Sequence, residues 1–525
     1  MRSQLPQRAS CNGQMSSRRP LDALRSGGHE STVARLHASG AAVIEPAVPA
    51  HDRPAHDRPA HDRPAHDRPT RDTIQIRRRT QRERSEESGS DQRLVRRGQI
   101  AIAGVLATGL LITVSAASTQ SFLPLSIRPV PSSLSGLFGG IDLNLHVAGA
   151  IGVLIAMFCS YAVAVSLSER LSPRLVLGSI VALNVLVLLG PPLISTDVFS
   201  YQAYARMGAT YGINPYLHGP AAINLDPIFP YIGAKWWNTP NAYGPLFTVF
   251  SYAFAKLSVA TSVYLYKAAA GAAALALVAV VWRCAGVLRT NRTRAVALVG
   301  LNPLLIVYGV GGGHNDLLML LAVTGALYAL VCGRERLGGA LGVVAAGVKL
   351  TGGLMLPFAI AAEGPRRGGR RRRDLLLAIA VSIVAIGVLN FAVFGSGGFH
   401  LLGTLSQGQK EGSWNSIPGL ISSKLGLETI SRVTTYLLAA AFVAVCAWLL
   451  RRVWRGQMDW IAAAGWATLA VLLASSSLLP WYVAWMLPLA ALGRDRRLMR
   501  LSVAMTGIVL IVQLLGFIPH GAPIF

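Results

Sequence analysis

The chain has 525 residues, of which 52% are hydrophobic and only 14% are charged, with a net charge of +25 and a mean hydropathy of +0.46. A soluble protein carries about 25% charged residues, so this composition excludes an ordinary soluble domain. The arginines lie in an N-terminal tail and in short clusters between apolar runs, a pattern that orients a membrane protein and does not require nucleic acid as a partner. The five cysteines have no spacing typical of a disulfide or zinc framework.

Residues 1–98 are polar, rich in arginine and without helical periodicity, and they predict a disordered, basic cytoplasmic tail. Residues 51–70 repeat a five-residue unit that contains His, Asp, Arg and Pro. Such a low-complexity repeat is typical of a linker, and a metal-binding histidine tract is the alternative. Arginines just before the first apolar run predict a cytoplasmic N-terminus, and the late position of that run indicates no cleavable signal peptide.

Residues 99–525 predict an all-α polytopic membrane domain, because apolar windows of about 18 to 22 residues recur to the end of the chain. The positive-inside rule gives about eleven crossings and two further apolar segments, hence 11–13 transmembrane segments. It also predicts two large polar loops on the outer face, at residues 195–243 and 395–432. The predicted crossings are residues 100–117, 146–167, 175–194, 264–288, 296–311, 317–331, 375–394, 435–450, 460–475, 479–492 and 499–517.

The two further apolar segments are predicted not to cross. Residues 244–260 lie between an outer loop and a crossing that ends at a basic cluster, so we expect them to lie in the interface or to re-enter the membrane. Residues 338–362 have arginines beyond both ends and contain Lys349 and a Gly352-Gly353 pair near their middle. They predict two half-helices that meet at Lys349, with its ammonium group reaching into the membrane.

Asp197 is the candidate catalytic base. It follows the apolar run 175–194 directly, so we expect it at the membrane surface, where a low dielectric raises the pKa of a carboxyl group. The spacing of Tyr201, Tyr204 and Tyr211 predicts a helix that lies along the interface. In the alternative interpretation, Asp197 only caps the start of that helix.

Other unusual polar and aromatic residues converge on the predicted outer side. A transferase that uses a lipid phosphate needs a base, cations for the phosphate and aromatic platforms for a sugar ring. Arg206 and Lys349 are the candidate cations, although Arg206 is equally suited to reach lipid headgroups. The other candidates have alternatives as helix caps or interfacial anchors. The candidate substrate-binding residues are Tyr201, Asn214, Tyr216, Tyr243, His314, Asn315, Asp316, Lys410, Trp414, Trp481 and Tyr482.

Five short motifs stand out: Asp197-Val-Phe-Ser-Tyr201, Asn214-Pro-Tyr216, Tyr243-Gly-Pro-Leu246, Gly313-His-Asn-Asp316 and Pro480-Trp-Tyr482. Together they resemble motifs of the actinobacterial polyprenol-phosphate-mannose-dependent α-(1→6)-mannosyltransferases, which belong to the GT-C class of polytopic glycosyltransferases. The resemblance covers the chain from about residue 100 to the end and leaves out the basic tail.

The resemblance implies a GT-C-like bundle in the plasma membrane, with membrane lipids around it. It implies a polyprenyl-phosphate sugar as donor and a glycolipid or lipoglycan of the cell envelope as acceptor, of lipomannan type. Asp197 would be the base of one inverting displacement, and Lys349, with Arg206, would neutralise the departing phosphate. GT-C loops often carry paired acidic residues, whereas Thr196 precedes Asp197 here, so no metal or other cofactor is predicted.

Two alternatives stay open at this point. A transporter or flippase for lipid-linked sugars would also contain broken apolar segments with a buried lysine. A large aromatic-rich outer loop and the lack of an evident inverted repeat favour a transferase instead. A transferase for arabinose or glucose would show the same residue pattern. In any of these enzymes, the lack of a Gly-rich nucleotide loop favours a lipid donor over a nucleotide sugar.

Overall fold

The computed structural model describes residues 71–363, 369–408, 416, 418–419, 424, 432–476 and 478–515. This described part is helical and contains no strand, which confirms the predicted all-α class. The α-helices, numbered in chain order, are α1 Arg71–Thr119, α2 His146–Leu167, α3 Pro173–Leu189, α4 Asp197–Ala209, α5 Pro245–Tyr252, α6 Val259–Val287, α7 Arg292–Gly300, α8 Asp316–Val331, α9 Glu335–Val348, α10 Leu356–Ala362, α11 Gly369–Phe394, α12 Leu401–Gly408, α13 Arg432–Trp454, α14 Trp460–Ala474, α15 Leu487–Leu492 and α16 Arg496–Leu515.

Shorter helical turns connect these helices. A π-helical segment, Leu304–Val310, follows α7. The 3-10 helices are Leu125–Ile127, Ser132–Leu134, Ser168–Arg170, Pro220–Ile223, Phe229–Tyr231, Ala234–Trp236, Leu350–Met355, Gly395–His400 and Pro480–Met486. The chain divides into two compact units at Gly89 and Ser90, and the unit from Ser90 onward contains all the helices after α1.

Helix α1 begins well before the first apolar run. Residues 71–98 are helical, so the prediction of a disordered tail up to residue 98 was wrong for them. Arg, Gln and Glu are abundant in this stretch and are good helix formers. A helix already nucleated in the apolar run extends into such a sequence at little cost. The repeat at residues 51–70 lies outside the described residues.

Several helices have the length and hydropathy of membrane spans, which confirms a polytopic membrane protein. A bent pair, α7 with Leu304–Val310, forms a further candidate with a 47° angle at its break. Pro303 lies at that break and removes a helix hydrogen bond. Three predicted crossings, residues 175–194, 317–331 and 460–475, are present as shorter apolar helices of 15 to 17 residues, Pro173–Leu189, Asp316–Val331 and Trp460–Ala474. The five candidate spans found among the described residues are Gly89–Thr119, His146–Arg170, Val259–Val287, Gly369–Leu405 and Val433–Trp454.

The predicted break at Lys349 is present. Helix α9 ends at Val348, Lys349 has an extended backbone with φ −151° and ψ 128°, and the chain continues as a 3-10 helix. A Cβ atom at Gly352 would lie 2.7 Å from the carbonyl of Ala345, so only glycine lets this turn approach α9. Helix α5, at eight residues, is about 12 Å long and too short to cross, as predicted for residues 244–260.

Helix α4 is a core element of the bundle. It packs against α5 and α6, while α8 packs between α6 and α9. Tyr201 and Tyr204 are buried, and only Tyr211, beyond the end of α4, is largely exposed. The prediction of an interfacial helix was therefore wrong in its environment. The loop that follows covers α4, with the ring of Tyr231 stacked on Phe199 at 5.3 Å.

Candidate active site

A short connector, residues 190–196, carries Asp197 from the end of α3 to the first position of α4. The N–H of Leu193 donates to Gly311 (3.0 Å), and the N–H of Ile194 donates to Phe122 (2.8 Å). Ile194 has φ +63°, which is a strained conformation for a β-branched residue. Backbone contacts on both sides thus hold this connector in a conformation that it would not adopt alone.

A second segment, residues 311–316, leads from the π-helical segment into α8. Gly313 has φ +66°, the left-handed conformation that glycine adopts without strain. The turn brings His314, Asn315 and Asp316 inside the protein, where each is at most 2% exposed. The amide oxygen of Asn315 accepts a hydrogen bond from the Tyr201 hydroxyl at 3.3 Å, which joins α4 to the start of α8.

Four ionisable side chains follow one another in space, and we call Asp197, His314, Asp316 and Lys349 the polar cluster. Nδ1 of His314 lies 3.5 Å from Oδ2 of Asp197 and 4.0 Å from Oδ2 of Asp316. Oδ1 of Asp316 accepts hydrogen bonds from Lys349 Nζ at 2.8 Å and from Trp485 Nε1 at 2.6 Å. The polar cluster thus combines two carboxyl groups, an imidazole and an ammonium group.

Aromatic rings of the 3-10 helix Pro480–Met486 cover one side of the polar cluster. Trp481 stacks on the imidazole of His314 with a centroid distance of 3.9 Å. Tyr482 and Trp485 stack on each other, and the ammonium group of Lys349 lies 4.7 Å and 5.1 Å from their ring centroids. Such cation–π contacts stabilise an ammonium group away from water. Tyr243 packs edge-on against Tyr201 at 4.7 Å on the α4 side.

The environment sets the protonation of the two groups that face each other. Burial raises the pKa of Asp197 to about 6, while the charge of Lys349 acts in the opposite direction and that of Asp316 in the same direction. Burial lowers the pKa of His314 to about 3. Near pH 7 the Asp197 carboxyl is therefore mostly ionised beside a neutral imidazole. Its side chain is 17% exposed, so a ligand can reach it.

Several buried polar atoms at this site have no hydrogen-bond partner in the described part of the chain. They are both ring nitrogens of His314, Nδ2 of Asn315, Oδ2 of Asp316 and Nε1 of Trp481. Buried polar groups are nearly always paired, and leaving one unpaired costs about 1–3 kcal/mol. Their convergence is what a site needs if a polar ligand completes its hydrogen bonds. No group of three His, Cys, Asp or Glu able to hold a metal ion occurs among the described residues.

Arg206 does not join the polar cluster. Its Nη1 donates to both oxygens of Asp226, at 2.9 and 3.1 Å, and its Nη2 donates to the carbonyl of Leu257 at 2.7 Å. Tyr211 also donates to Asp226, at 2.8 Å. The guanidinium group therefore ties α4 to the loop that covers it, and the predicted phosphate contact of Arg206 stays a prediction.

Asn214 and Tyr216 are also engaged in the loop itself. Nδ2 of Asn214 donates to the carbonyl of Phe394 at 2.6 Å, at the end of α11. The Tyr216 hydroxyl contacts the carbonyl of Tyr243 (2.9 Å) and the hydroxyl of Thr248 (3.0 Å). Both residues thus position the loop, and their predicted role in substrate binding stays a prediction. Lys410 and Trp414 lie outside the described residues.

Comparison with known proteins assigns the chain to a family. Residues 100–363 match the family described as alpha-(1->6)-mannopyranosyltransferase, N-terminal domain, and residues 416–524 match the MptB C-terminal domain. The chain belongs to the α-(1→6)-mannopyranosyltransferase family. This confirms the resemblance stated from the motifs, and it makes this membrane protein a mannosyltransferase.

Curated relatives of this mannosyltransferase come from mycobacteria and corynebacteria. Alpha-(1->6)-mannopyranosyltransferase A of Mycobacterium tuberculosis is 31% identical over 64% of this chain and 68% of the relative. A probable alpha-(1->6)-mannopyranosyltransferase of Mycolicibacterium smegmatis is 27% identical over 70% of this chain and 74% of the relative. Alpha-(1->6)-mannopyranosyltransferase B of Corynebacterium glutamicum is 27% identical, over 58% and 56%. No solved structure matches the chain. These names give no support to the transporter, arabinosyl or glucosyl alternatives.

Within the mannosyltransferase, the structure brings together most of the residues predicted from sequence: Asp197, Tyr201, Tyr243, His314, Asn315, Asp316, Lys349, Trp481 and Tyr482. It also adds residues that sequence reasoning missed. Trp485 lies in an apolar run, where a tryptophan is ordinarily core or anchor. Asp226 lies in an irregular loop without a periodic signal. Lys267 lies inside a long apolar run, the same signal that identified Lys349, although that run, residues 264–288, is predicted only as a crossing.

Proposed function

We propose that this mannosyltransferase moves a mannosyl residue from a polyprenyl-phosphate donor to a hydroxyl group of a lipomannan-type glycan, at the outer face of the plasma membrane. The transfer forms an α-(1→6) linkage by one inverting displacement. The observation that carries the proposal is the polar cluster itself, in which the partly exposed carboxyl of Asp197 lies 3.5 Å from His314 and the cation Lys349 completes the group. The names of the relatives support the sugar and the linkage.

Asp197 is the proposed general base. A pKa of about 6 makes its carboxylate more basic than an ordinary aspartate and still leaves it mostly ionised near pH 7. Beside Asp197 lies the neutral ring of His314, whose two nitrogen atoms have no hydrogen-bond partner among the described residues. One of them is suited to orient the carboxylate or the acceptor hydroxyl by a hydrogen bond. A neutral imidazole does this without competing for the proton.

Lys349 is the proposed partner of the departing phosphate. Its ammonium group has three donors, of which one is directed to Asp316, while the aromatic rings of Tyr482 and Trp485 lie beside it. In a partly dry site, a fixed cation stabilises charge that develops on a leaving group far more than it would in water. Because Arg206 is bonded to Asp226, Lys349 alone carries this role among the two cations considered.

The transfer needs no co-reactant besides the donor, the acceptor and these side chains. The acceptor oxygen forms a bond to the anomeric carbon while the bond from that carbon to the phosphate oxygen breaks. The electron pair of the broken bond leaves with the polyprenyl phosphate, and the proton of the acceptor hydroxyl passes to Asp197. Attack from the side opposite to the phosphate converts a β-linked donor into an α-linked product. Positioning of the two substrates supplies much of the rate enhancement.

Transfer by the purified full-length protein in lipid vesicles tests the proposal. The vesicles receive labelled polyprenyl-phosphate mannose and an α-(1→6)-oligomannoside acceptor, and a parallel sample receives GDP-mannose in place of the lipid donor. We expect an elongated oligomannoside with a new α-(1→6) linkage from the lipid donor only. Use of GDP-mannose would contradict the proposed donor. Movement of the lipid donor across the bilayer without any product would instead support the transporter alternative.

A further inference from the structure

Lys267 is a buried lysine inside α6, a helix long and apolar enough to cross the membrane. Its side chain is 0% exposed, and its Nζ donates hydrogen bonds to the carbonyl oxygens of Gly190 and Pro191, the latter at 2.8 Å. None of the ion pairs formed by the described residues includes it. A lysine within a membrane helix is expensive to place and is usually functional, so its position calls for a reason.

The ammonium group of Lys267 holds the connector that carries Asp197. Gly190 follows the last residue of α3 with an extended backbone (φ −86°, ψ 178°) and is the first residue of the connector. The two hydrogen bonds from Lys267 therefore fix the point from which the chain runs through the strained Ile194 to Asp197. The lysine therefore acts on Asp197 through the backbone and not by direct contact.

The stem of the same side chain packs on the segment that carries His314. A Cβ atom built on Gly313 would lie 3.4 Å from Cγ of Lys267 and 3.4 Å from Cγ2 of Val198. Gly313 therefore fits between the lysine and the residue that follows Asp197. The connector is joined to this segment once more by the hydrogen bond from Leu193 to Gly311. The connector that carries Asp197 and the segment that carries His314 thus both contact Lys267.

We propose that Lys267 is a positioning residue that sets the separation between Asp197 and His314. The inference rests on the proposed function, in which Asp197 is the base. Lys267 contacts neither of the reacting groups, and its ammonium and stem hold the two backbone segments that present them. Loss of the ammonium group is therefore expected to impair the chemical step while donor binding at Lys349 stays intact.

Three variants in the vesicle assay test this role: Lys267→Met, Lys267→Arg and, as a matched control, the exposed Lys256→Met. Methionine keeps much of the stem and removes the ammonium group. We expect K267M to lower kcat about tenfold to a hundredfold, because small misplacements of reacting groups have effects of this size, with the donor KM within about twofold. K267R keeps a cation with a different shape and should have an intermediate kcat. The control should match the wild type.

The pH profile separates positioning from a purely structural role. In K267M the acid limb of kcat should move from its wild-type position, because the surroundings of Asp197 change. The inference is overturned if K267M retains wild-type kcat, or if its activity falls only in proportion to the amount of folded protein. If K267M does not accumulate, K267R decides: a lowered kcat with unchanged donor KM supports the role, and wild-type kcat overturns it. Absence of transfer by the wild type would contradict the proposed function itself.

Discussion

Nδ1 of His314 lies 3.5 Å from Oδ2 of Asp197, and neither ring nitrogen has a hydrogen-bond partner among the described residues. The two side chains come from segments more than a hundred residues apart in sequence, yet a backbone hydrogen bond from Leu193 to Gly311 and a side-chain hydrogen bond from Tyr201 to Asn315 join these segments. Their opposite pKa shifts, up for the carboxyl and down for the imidazole, support the proposal that Asp197 is the proton acceptor. The predictions below test this arrangement and the groups around it.

Replacing Asp197 by asparagine should abolish most of the transfer. The amide keeps the size of the side chain and cannot accept the proton, and a general base contributes about 10²- to 10⁴-fold to a rate. In the wild type, kcat should fall as the pH decreases through about 6, because protonation removes the base. The residual activity of D197N should lack this acid limb. Unchanged kcat in D197N at normal protein levels would remove Asp197 from the mechanism.

Replacing His314 by phenylalanine should lower kcat about tenfold or more. Phenylalanine can keep the stacking on Trp481 and loses the hydrogen-bonding nitrogens. The acid limb of the pH profile should stay near pH 6, because it belongs to Asp197 and not to an imidazole whose pKa is about 3. If the acid limb disappears in H314F while kcat at high pH is normal, the histidine is the titrating base.

Lys349 and Asp316 can be separated by a double-variant comparison. Lys349→Met should raise the donor KM about tenfold or more and lower the melting temperature in detergent, because it leaves the buried carboxyl of Asp316 without its cation. Adding Asp316→Asn should restore part of the stability and leave the donor KM high. Recovery of donor binding in the double variant would mean that Lys349 serves only as the partner of Asp316.

Arg206→Met should reduce stability and leave donor binding unchanged. The variant leaves Asp226, which is 2% exposed, without its ion-pair partner, and breaking a buried pair costs about 3–5 kcal/mol. Thermal unfolding in detergent and the donor KM of the remaining folded protein measure the two effects. The exposed Lys256 again provides a neutral control. A raised donor KM without loss of stability would return Arg206 to the phosphate site.

The sequence alone was sufficient to predict features that are unfavourable in a membrane helix. Lys349 in an apolar run beside two glycines indicated both the helix break and a polar site, and the structure has the break at that residue. Asp197 at the end of an apolar run indicated a low-dielectric carboxyl group, and its pKa is raised by burial. Such residues are informative because a charge near hydrocarbon needs compensation that few positions provide.

Which distant residues contact each other could not be predicted from the sequence. The sequence around Arg206 is the same whether its side chain binds a phosphate or Asp226. Only the folded loop shows that it binds Asp226. The burial of α4 likewise depends on the loop that packs over it, and the sequence does not show that packing. The spacing of the tyrosines therefore predicted an interfacial helix, whereas Tyr201 and Tyr204 are buried. Pro303 also divides one predicted crossing, residues 296–311, into a bent pair of helices, and hydropathy averaged along the run does not show such a break.

The hydrogen bond from Asn214 to the carbonyl of Phe394 links the loop after α4 to the end of α11, and Gly397 packs against the same asparagine side chain. From there the Tyr216 hydroxyl reaches the carbonyl of Tyr243, whose ring packs edge-on against Tyr201 of α4, the helix that begins at Asp197. The described start of the second polar loop, Gly395–His400, is thus connected through the first loop to the helix that begins at Asp197. On the proposed function, a glycan that displaces the loop after α4 when it docks is expected to shift the pKa of Asp197 as well.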